Sequence, residues 1–328
     1  MIKYLIVQLS PTSVSFCHNE RGSEEGELMS IDLLKKVIIW SMKENLNVQF
    51  TFPDEVIPKS YLELIDTIDH TSIVPSTCED SVLRDNADVV VFDSWGAVSF
   101  YPFTMDKNYV IRSTKEDFFE QARLINLILA KTNSLSVIVT NIHEFKKEDF
   151  DKYREIVDGL IPTVVEQIKN GRDIHFNLLT DRILLDKMNN CSAGDETITI
   201  APDGKFYICP AFYSEKNEEG IIGDFTSGVA FKNPQLYKLA FAPICRSCDA
   251  FQCRRCIWLN KKTTCEVNTP SHEQCVISHI ERNASMKLRN ELTKLSGFSQ
   301  LKEIPKLDYL DPFDKIWFGN QNHNTQLT

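Results

Sequence analysis

Over residues 3–188, short apolar runs alternate with longer amphipathic stretches. The runs at 4–9, 48–52, 89–92, 109–112, 135–140 and 174–179 are rich in β-branched and aromatic residues and predict strands. The stretches between them, 31–45, 59–68, 115–131, 147–170 and 181–188, predict helices. In the first, Leu34, Val37, Ile38 and Trp40 alternate with Lys35, Lys36, Lys43 and Glu44, which gives one apolar face at helical period. Ser30 ahead of it reads as a cap, and Asp149 as a first-turn acid of the long helix. Repeated strand–helix units predict an α/β fold with a mainly parallel sheet, either open or curled into a partial barrel.

The pattern changes near residue 190. Segments 197–200 and 205–208 flank Pro202-Asp203-Gly204, a turn sequence, and predict a β-hairpin. A cysteine-dense stretch follows, then a helix over 276–295 and a tail, 296–328, rich in Asp and aromatic residues. The expected division is therefore 1–190, 191–295 and a C-terminal tail.

Composition narrows the partners. The chain has 328 residues and a formal net charge of −10, which argues against a nucleic-acid backbone or an anionic membrane as the main partner. No apolar run approaches the ~20 residues that span a bilayer. The opening Met1-Ile2-Lys3-Tyr4-Leu5-Ile6-Val7 reads as a first strand and not as an export signal. A cytoplasmic, reducing location is expected, where clustered cysteines favour metal or redox chemistry over disulfides. Arg246, Arg254, Arg255, Lys261 and Lys262 lie among the cysteines, where they solvate the surface or offset the charge of cysteinate clusters.

Eight of the ten cysteines fall between Cys191 and Cys275. Cys191 precedes the hairpin and Cys209 ends it. Cys245, Cys248, Cys253 and Cys256 follow as Cys-x2-Cys-x4-Cys-x2-Cys, and then Cys265 and Cys275. Eight thiolates suffice for two four-ligand sites, and soft thiolates select zinc or iron–sulfur clusters. Zinc ribbons usually separate their two knuckles by ~15–20 residues. Here only Asp249-Ala250-Phe251-Gln252 intervene, so iron–sulfur is preferred and zinc is the alternative.

Cys191 with Gly194, Gly204-x4-Cys209, the cysteine quartet and Cys275 together resemble the SPASM domain appended to many radical SAM peptide-modifying enzymes. The resemblance implies up to two auxiliary 4Fe–4S clusters. It assigns Cys191, Cys209 and Cys256 to one, and Cys245, Cys248, Cys253 and Cys275 to the other. Cys265 is extra and would supply a missing fourth ligand. The family's central run is Cys-x2-Cys-x5-Cys-x3-Cys, one residue longer in each of the last two gaps.

The resemblance also implies a partial (β/α) barrel of radical SAM type in front, followed by the small cysteine-rich domain with its β-hairpin and C-terminal helix. The first loop of such a barrel carries Cys-x3-Cys-x-aromatic-Cys. Here Ser10 and Val14 stand at the first two cysteine positions, and only Phe16 and Cys17 keep the pattern. Valine has no ligand atom, and an unactivated serine is a poor substitute for a thiolate. A Gly-Gly-Glu-like turn is expected after the second strand, but Phe52-Pro53-Asp54-Glu55 stands there. Independent use of S-adenosylmethionine is therefore not expected.

The phrases Asn177-Leu178-Leu179-Thr180-Asp181-Arg182, Met188-Asn189-Asn190-Cys191 and Pro270-Ser271-His272-Glu273-Gln274-Cys275 further resemble the CXXX repeat peptide maturases, as does Ile280-Glu281-Arg282-Asn283-Ala284-Ser285. That likeness implies a cysteine-rich precursor peptide and a neighbouring radical SAM enzyme as partners. The expected function is a maturation factor that does not cleave S-adenosylmethionine itself. The alternatives are an independently active peptide-modifying enzyme and a structural zinc interaction module.

Other candidates have ordinary readings beside the functional ones. Cys17 is either a surviving cluster ligand, a reactive thiol or a packed residue. Cys78 has no metal-spaced partner. Asp181-Arg182 reads equally as a binding pair or as a salt bridge or cap. His272 and His279 read as supporting or surface groups, and Trp258 as a cluster cover or a core residue. No phosphate-binding glycine loop, serine-hydrolase or HExxH signature is present.

Overall fold

The computed structural model describes residues 1–22, 26–188 and 191–295. The expected tail, 296–328, and the Asn189-Asn190 part of the phrase before Cys191 lie outside the described residues.

Seven parallel strands wind in sequence order: β1 (Tyr4–Gln8), β2 (Asn47–Thr51), β3 (His70–Pro75), β4 (Val89–Phe92), β5 (Asn108–Ser113), β6 (Ser134–Val139) and β7 (His175–Phe176). The helices between them are α1 (Ile31–Lys43), α2 (Lys59–Ile65), α3 (Ser81–Asn86), α4 (Lys115–Gln121), α5 (Leu124–Leu129) and α6 (Lys147–Lys169). Each α/β step places the next strand beside the last, with no reversal of order, which is the winding of a barrel and not of a doubly wound sheet.

Alternation within the strands sorts the two faces. Leu5, Val7, Val48, Phe50, Val90, Phe92, Tyr109, Ile111, Leu135 and Val137 join the main core with Leu34, Val37 and Ile38 of α1 and Phe150, Tyr153 and Val157 of α6. The opposite face carries Gln49, Thr71, Asn108, Ser134, Ser136 and His175, all lining one cavity of about 510 Å³. Six flat strands would span about 24 Å, so residues from β2 to β7 share a cavity only because the sheet curls around it.

The chain then adds α7 (Asp181–Leu184) and β8 (Thr197–Ile200), which pairs parallel to β1 on its open edge. β9 (Lys205–Tyr207), β10 (Ile221–Asp224) and β11 (Gly228–Val229) extend the sheet antiparallel, with α8 (Pro210–Ser214) between β9 and β10. The eleven-stranded sheet thus runs on across residue 190. The β8–β9 turn uses Gly204 at φ 78°, and Asp203 accepts from the Lys205 N–H at 3.1 Å. α9 (Ile257–Thr264) and α10 (His272–Leu292) follow.

α10 closes the structure against α6. Tyr153 donates to Glu281 at 2.6 Å, Lys287 pairs with Asp158, and the Ser285 hydroxyl donates to the Leu179 carbonyl at 2.6 Å. Ser30 caps α1 by accepting from Leu33, and Asp149 accepts from the Lys146 N–H, as the sequence predicts.

Local differences have physical causes. β3 and α3 occupy a stretch the pattern leaves blank, because His70-Thr71-Ser72 is a polar strand segment whose Thr71 faces the polar cavity. The predicted helix 115–131 is two short helices, α4 and α5, while 181–188 forms only the single turn of α7. The last helix begins at His272, where Ser271 caps it by accepting from Gln274. Among the described residues, no helix is long and apolar enough to cross a membrane.

Candidate metal centre

The loop after β1 is built into the barrel and held there. Ser10 and Val14 are buried, at 3% exposure each. The Val14 N–H donates to the Phe52 carbonyl at 2.9 Å, and its side chain packs against Ile73 and Val91 on the inner face. Phe16 joins the same apolar group beside Val89 and Val110. Ser13 donates to the Thr51 carbonyl and accepts from the Ser10 N–H, while the Ser10 hydroxyl bonds Thr12. The positions that lack cysteine are therefore occupied by sheet packing and local serine turns.

Charges at the carboxyl ends of the strands reinforce this loop. Arg21 pairs with Asp54 and Asp93, and Arg112 pairs with Asp93. Arg112 also donates to the carbonyls of Cys17 and Asn19. His18 bonds the Val139 carbonyl at 3.0 Å, and burial lowers its pKa to about 4, so it is neutral. Asp54, in the turn after β2, is further engaged by Thr77.

Just below, one cavity of about 560 Å³ is lined by Cys17, Cys191, Cys209 and Cys256, with Arg254 and Trp258 beside them. Four separate segments deliver these thiols. Cys17 ends the β1 loop. Cys191 is tied to the later segment through its N–H, which donates to the Arg254 carbonyl at 3.1 Å. Cys209 precedes α8. Cys256 caps α9 and accepts from the Leu259 N–H. Burial pushes the Cys17 thiol up to about 12, with Cys191 adding to the shift and Arg254 and Arg112 opposing it. Burial, then Cys191, Cys209 and Cys17, raises Cys256 well above the ordinary thiol range. Trp258 is buried and donates to Glu215 at 2.7 Å.

A second group forms where α10 meets the cysteine quartet. Burial raises Cys245 to about 12, reinforced by Cys253 and Cys248 and opposed by Arg255. Cys253 is raised to about 11 by burial, although a hydrogen bond with Ser278 opposes the shift. Cys248 Sγ lies 3.7 Å from His279 Nε2, and these two with Asp249 keep their ligand atoms within 4.8 Å of one another. Cys275 is four residues before His279 and shares its face of α10. Cys265 is exposed at the left-handed carboxyl end of α9. Cys78 is buried after β3, apart from both groups.

Clustered thiols are soft-metal donors, and Cys248 and His279 with Asp249 form one compact group among them. A tetrahedral site with Zn–S near 2.3 Å brings sulfurs to about 3.8 Å. Among the described residues, no three cysteines lie within 4.8 Å of one another. Two buried cations stand beside the second group. Arg255 is 1% exposed and Arg182 is 2% exposed. The Nε and Nη1 of Arg255 and the Nε and Nη2 of Arg182 have no hydrogen-bond partner. Arg255 stands near Cys245, and Arg182 stands near the buried Asp249 and, less closely coupled, Cys248, with its guanidinium 4.0 Å from the Phe251 ring. Buried guanidinium groups with unpaired N–H groups favour anionic neighbours, and Asp249 supplies one beside Arg182.

The sequence reading missed two elements of this geometry. It assigned Cys17 no place beside Cys191, Cys209 and Cys256, and it did not single out Arg255 as a buried cation. Val14 and Phe16, two positions apart, fall on one side of an extended chain and pack into the same apolar group.

No protein-family model and no curated protein matches this chain. Solved structures do. The structure described as native anSMEcpe with bound AdoMet superposes with a TM-score of 0.59 at 16% identity, covering 88% of this chain and 98% of that one. Native anSMEcpe with bound AdoMet and the Cp18Cys peptide gives 0.60 at 14% identity, covering 90% and 100%. The complex with the Kp18Cys peptide gives 0.59 at 15% identity, covering 89% and 99%. The chain therefore has the α/β fold of these structures, a parallel sheet with flanking helices.

Proposed function

We propose that this chain is a maturation factor for a ribosomally made, cysteine-rich CXXX-repeat peptide. In this reading it carries up to two auxiliary 4Fe–4S clusters and works with a partner radical SAM enzyme. The barrel half, 1–190, offers the peptide-binding surface, and 191–295 holds the clusters through Cys191, Cys209, Cys245, Cys248, Cys253, Cys256 and Cys275. Cys265 remains an available thiol at the surface.

The observation that carries the reading is the contrast between Val14 and the thiol-lined cavity below it. Val14 is locked onto Ile73 and Val91, so the loop offers no open cluster site, while four thiols line one neighbouring cavity. Bound clusters would supply electron transfer or a fixed charge. The chain's own residues supply the rest. Arg182 and Arg255 balance negative charge beside the second thiol group, and the buried Trp258 excludes water beside the first. The polar cavity, with Gln49, Asn108, Ser136 and Asn177 on its wall, offers hydrogen bonds to an extended peptide backbone. The solved neighbours with bound peptides support this assignment.

The test begins with anaerobic purification and counting of iron, sulfide and zinc. The loaded protein is then reduced with S-adenosylmethionine, and 5′-deoxyadenosine is measured, with and without a synthetic CXXX-repeat peptide. The expected protein is brown, holds iron and sulfide, binds the peptide and makes no 5′-deoxyadenosine. Zinc alone, or competent cleavage of S-adenosylmethionine, would overturn the reading.

A further inference from the structure

We propose that Cys17 is the fourth thiolate of the cluster held by Cys191, Cys209 and Cys256, so that the group bridges the barrel loop and the cysteine-rich half. The inference rests on the cluster reading above and adds the ligand that reading lacks.

Placement is the main argument. Cys17, Cys191, Cys209 and Cys256 all line the same cavity, delivered by four separate segments of the chain. Cys265 occupies the other end of α9. The eight residues of α9 separate it from Cys256, about 13 Å along the axis, too far to complete the same compact group. Cys17 is also held in place on both sides. Arg112 grips its carbonyl at 2.9 Å, its N–H donates to Ser15, and the next residue, His18, is fixed to Val139.

The chemistry balances without an added oxidant. Each thiol releases its proton to solvent and its sulfur lone pair binds one iron, with no change of oxidation state at sulfur. The loop that lost Ser10 and Val14 as cysteine positions thus keeps one thiolate and turns it toward a different cluster. Metal loading then ties residues 10–22 to the far half of the chain. Cluster loss is expected to loosen the loop that fills the barrel.

The full chain is reconstituted anaerobically beside Cys17→Ala, Cys17→Ser and Cys265→Ala. Iron and sulfide are counted, and electron paramagnetic resonance is recorded after oxidation and after reduction. Cys17→Ala should lose between one iron and about half of the total, with a three-iron signal on oxidation. Cys265→Ala should match the parent. Cluster content and spectra unchanged in Cys17→Ala, or the loss appearing in Cys265→Ala instead, would refute the assignment while leaving the cluster reading intact. A parent without iron and sulfide would sink both.

Alkylation of the unsubstituted protein guards against a folding defect. Mass spectrometry should find Cys17 protected when loaded and modified after chelation, at least tenfold faster. Equal rates in the two states would overturn the proposal.

Discussion

The Nε of Arg112, on β5, donates to the carbonyl oxygen of Cys17 at 2.9 Å, joining residues 95 positions apart. The same buried guanidinium reaches Asn19 and Asp93, so one side chain fixes both the loop after β1 and the end of β4. Replacing Arg112 with methionine leaves two backbone carbonyls without their donor. We expect a loss of about 2–3 kcal/mol by urea unfolding. The circular dichroism of the sheet should be retained, and the Cys17 thiol should become more accessible to alkylation.

Adding the missing cysteines should not restore an open cluster site. Val14 is fixed by its N–H to Phe52 and by packing on Ile73 and Val91. The double variant Ser10→Cys with Val14→Cys is expected to give no 5′-deoxyadenosine from S-adenosylmethionine under reducing conditions. Val14→Ala should cost about 1–3 kcal/mol in a denaturant titration. A neutral effect would mean that the loop does not pack as described.

The incompletely paired Arg255 gives opposite predictions for the empty and loaded protein. In the empty protein, Arg255→Met removes a buried, poorly satisfied cation and should leave thermal stability unchanged or raised. In the loaded protein it removes positive charge near Cys245 and should move a cluster potential negative by on the order of tens of millivolts. Spectroelectrochemistry with paired melting curves checks both signs.

Gly194 has φ 75°, and a Cβ there would lie 2.7 Å from the Tyr237 ring. Gly194→Ala combines left-handed strain with a ring clash, expected to cost about 2–4 kcal/mol. Because Gly194 sits between Cys191 and β8, iron occupancy should fall along with the melting temperature. A variant as stable as the parent would show that the Tyr237 contact yields freely.

Local pattern carries much of this protein. The period of Leu34, Val37 and Ile38 forces an amphipathic helix, and Pro202-Asp203-Gly204 forces a tight hairpin, because both depend on near neighbours. The polar strand His70–Pro75 escapes that logic, since its side chains make sense only once a curled sheet places Thr71 in a polar cavity. Likewise, the donor set is legible from cysteine spacing, but its grouping is not. Cys17 and Cys256 are 239 positions apart in the sequence. The pairing of β8 with β1, together with the inward turn of the β1 loop, decides that they meet. Sequence alone determined which residues have thiolate chemistry and which segments fold as helix or strand. Tertiary structure decided which thiols line one cavity, because that depends on strand pairing and backbone hydrogen bonds between segments far apart in the chain.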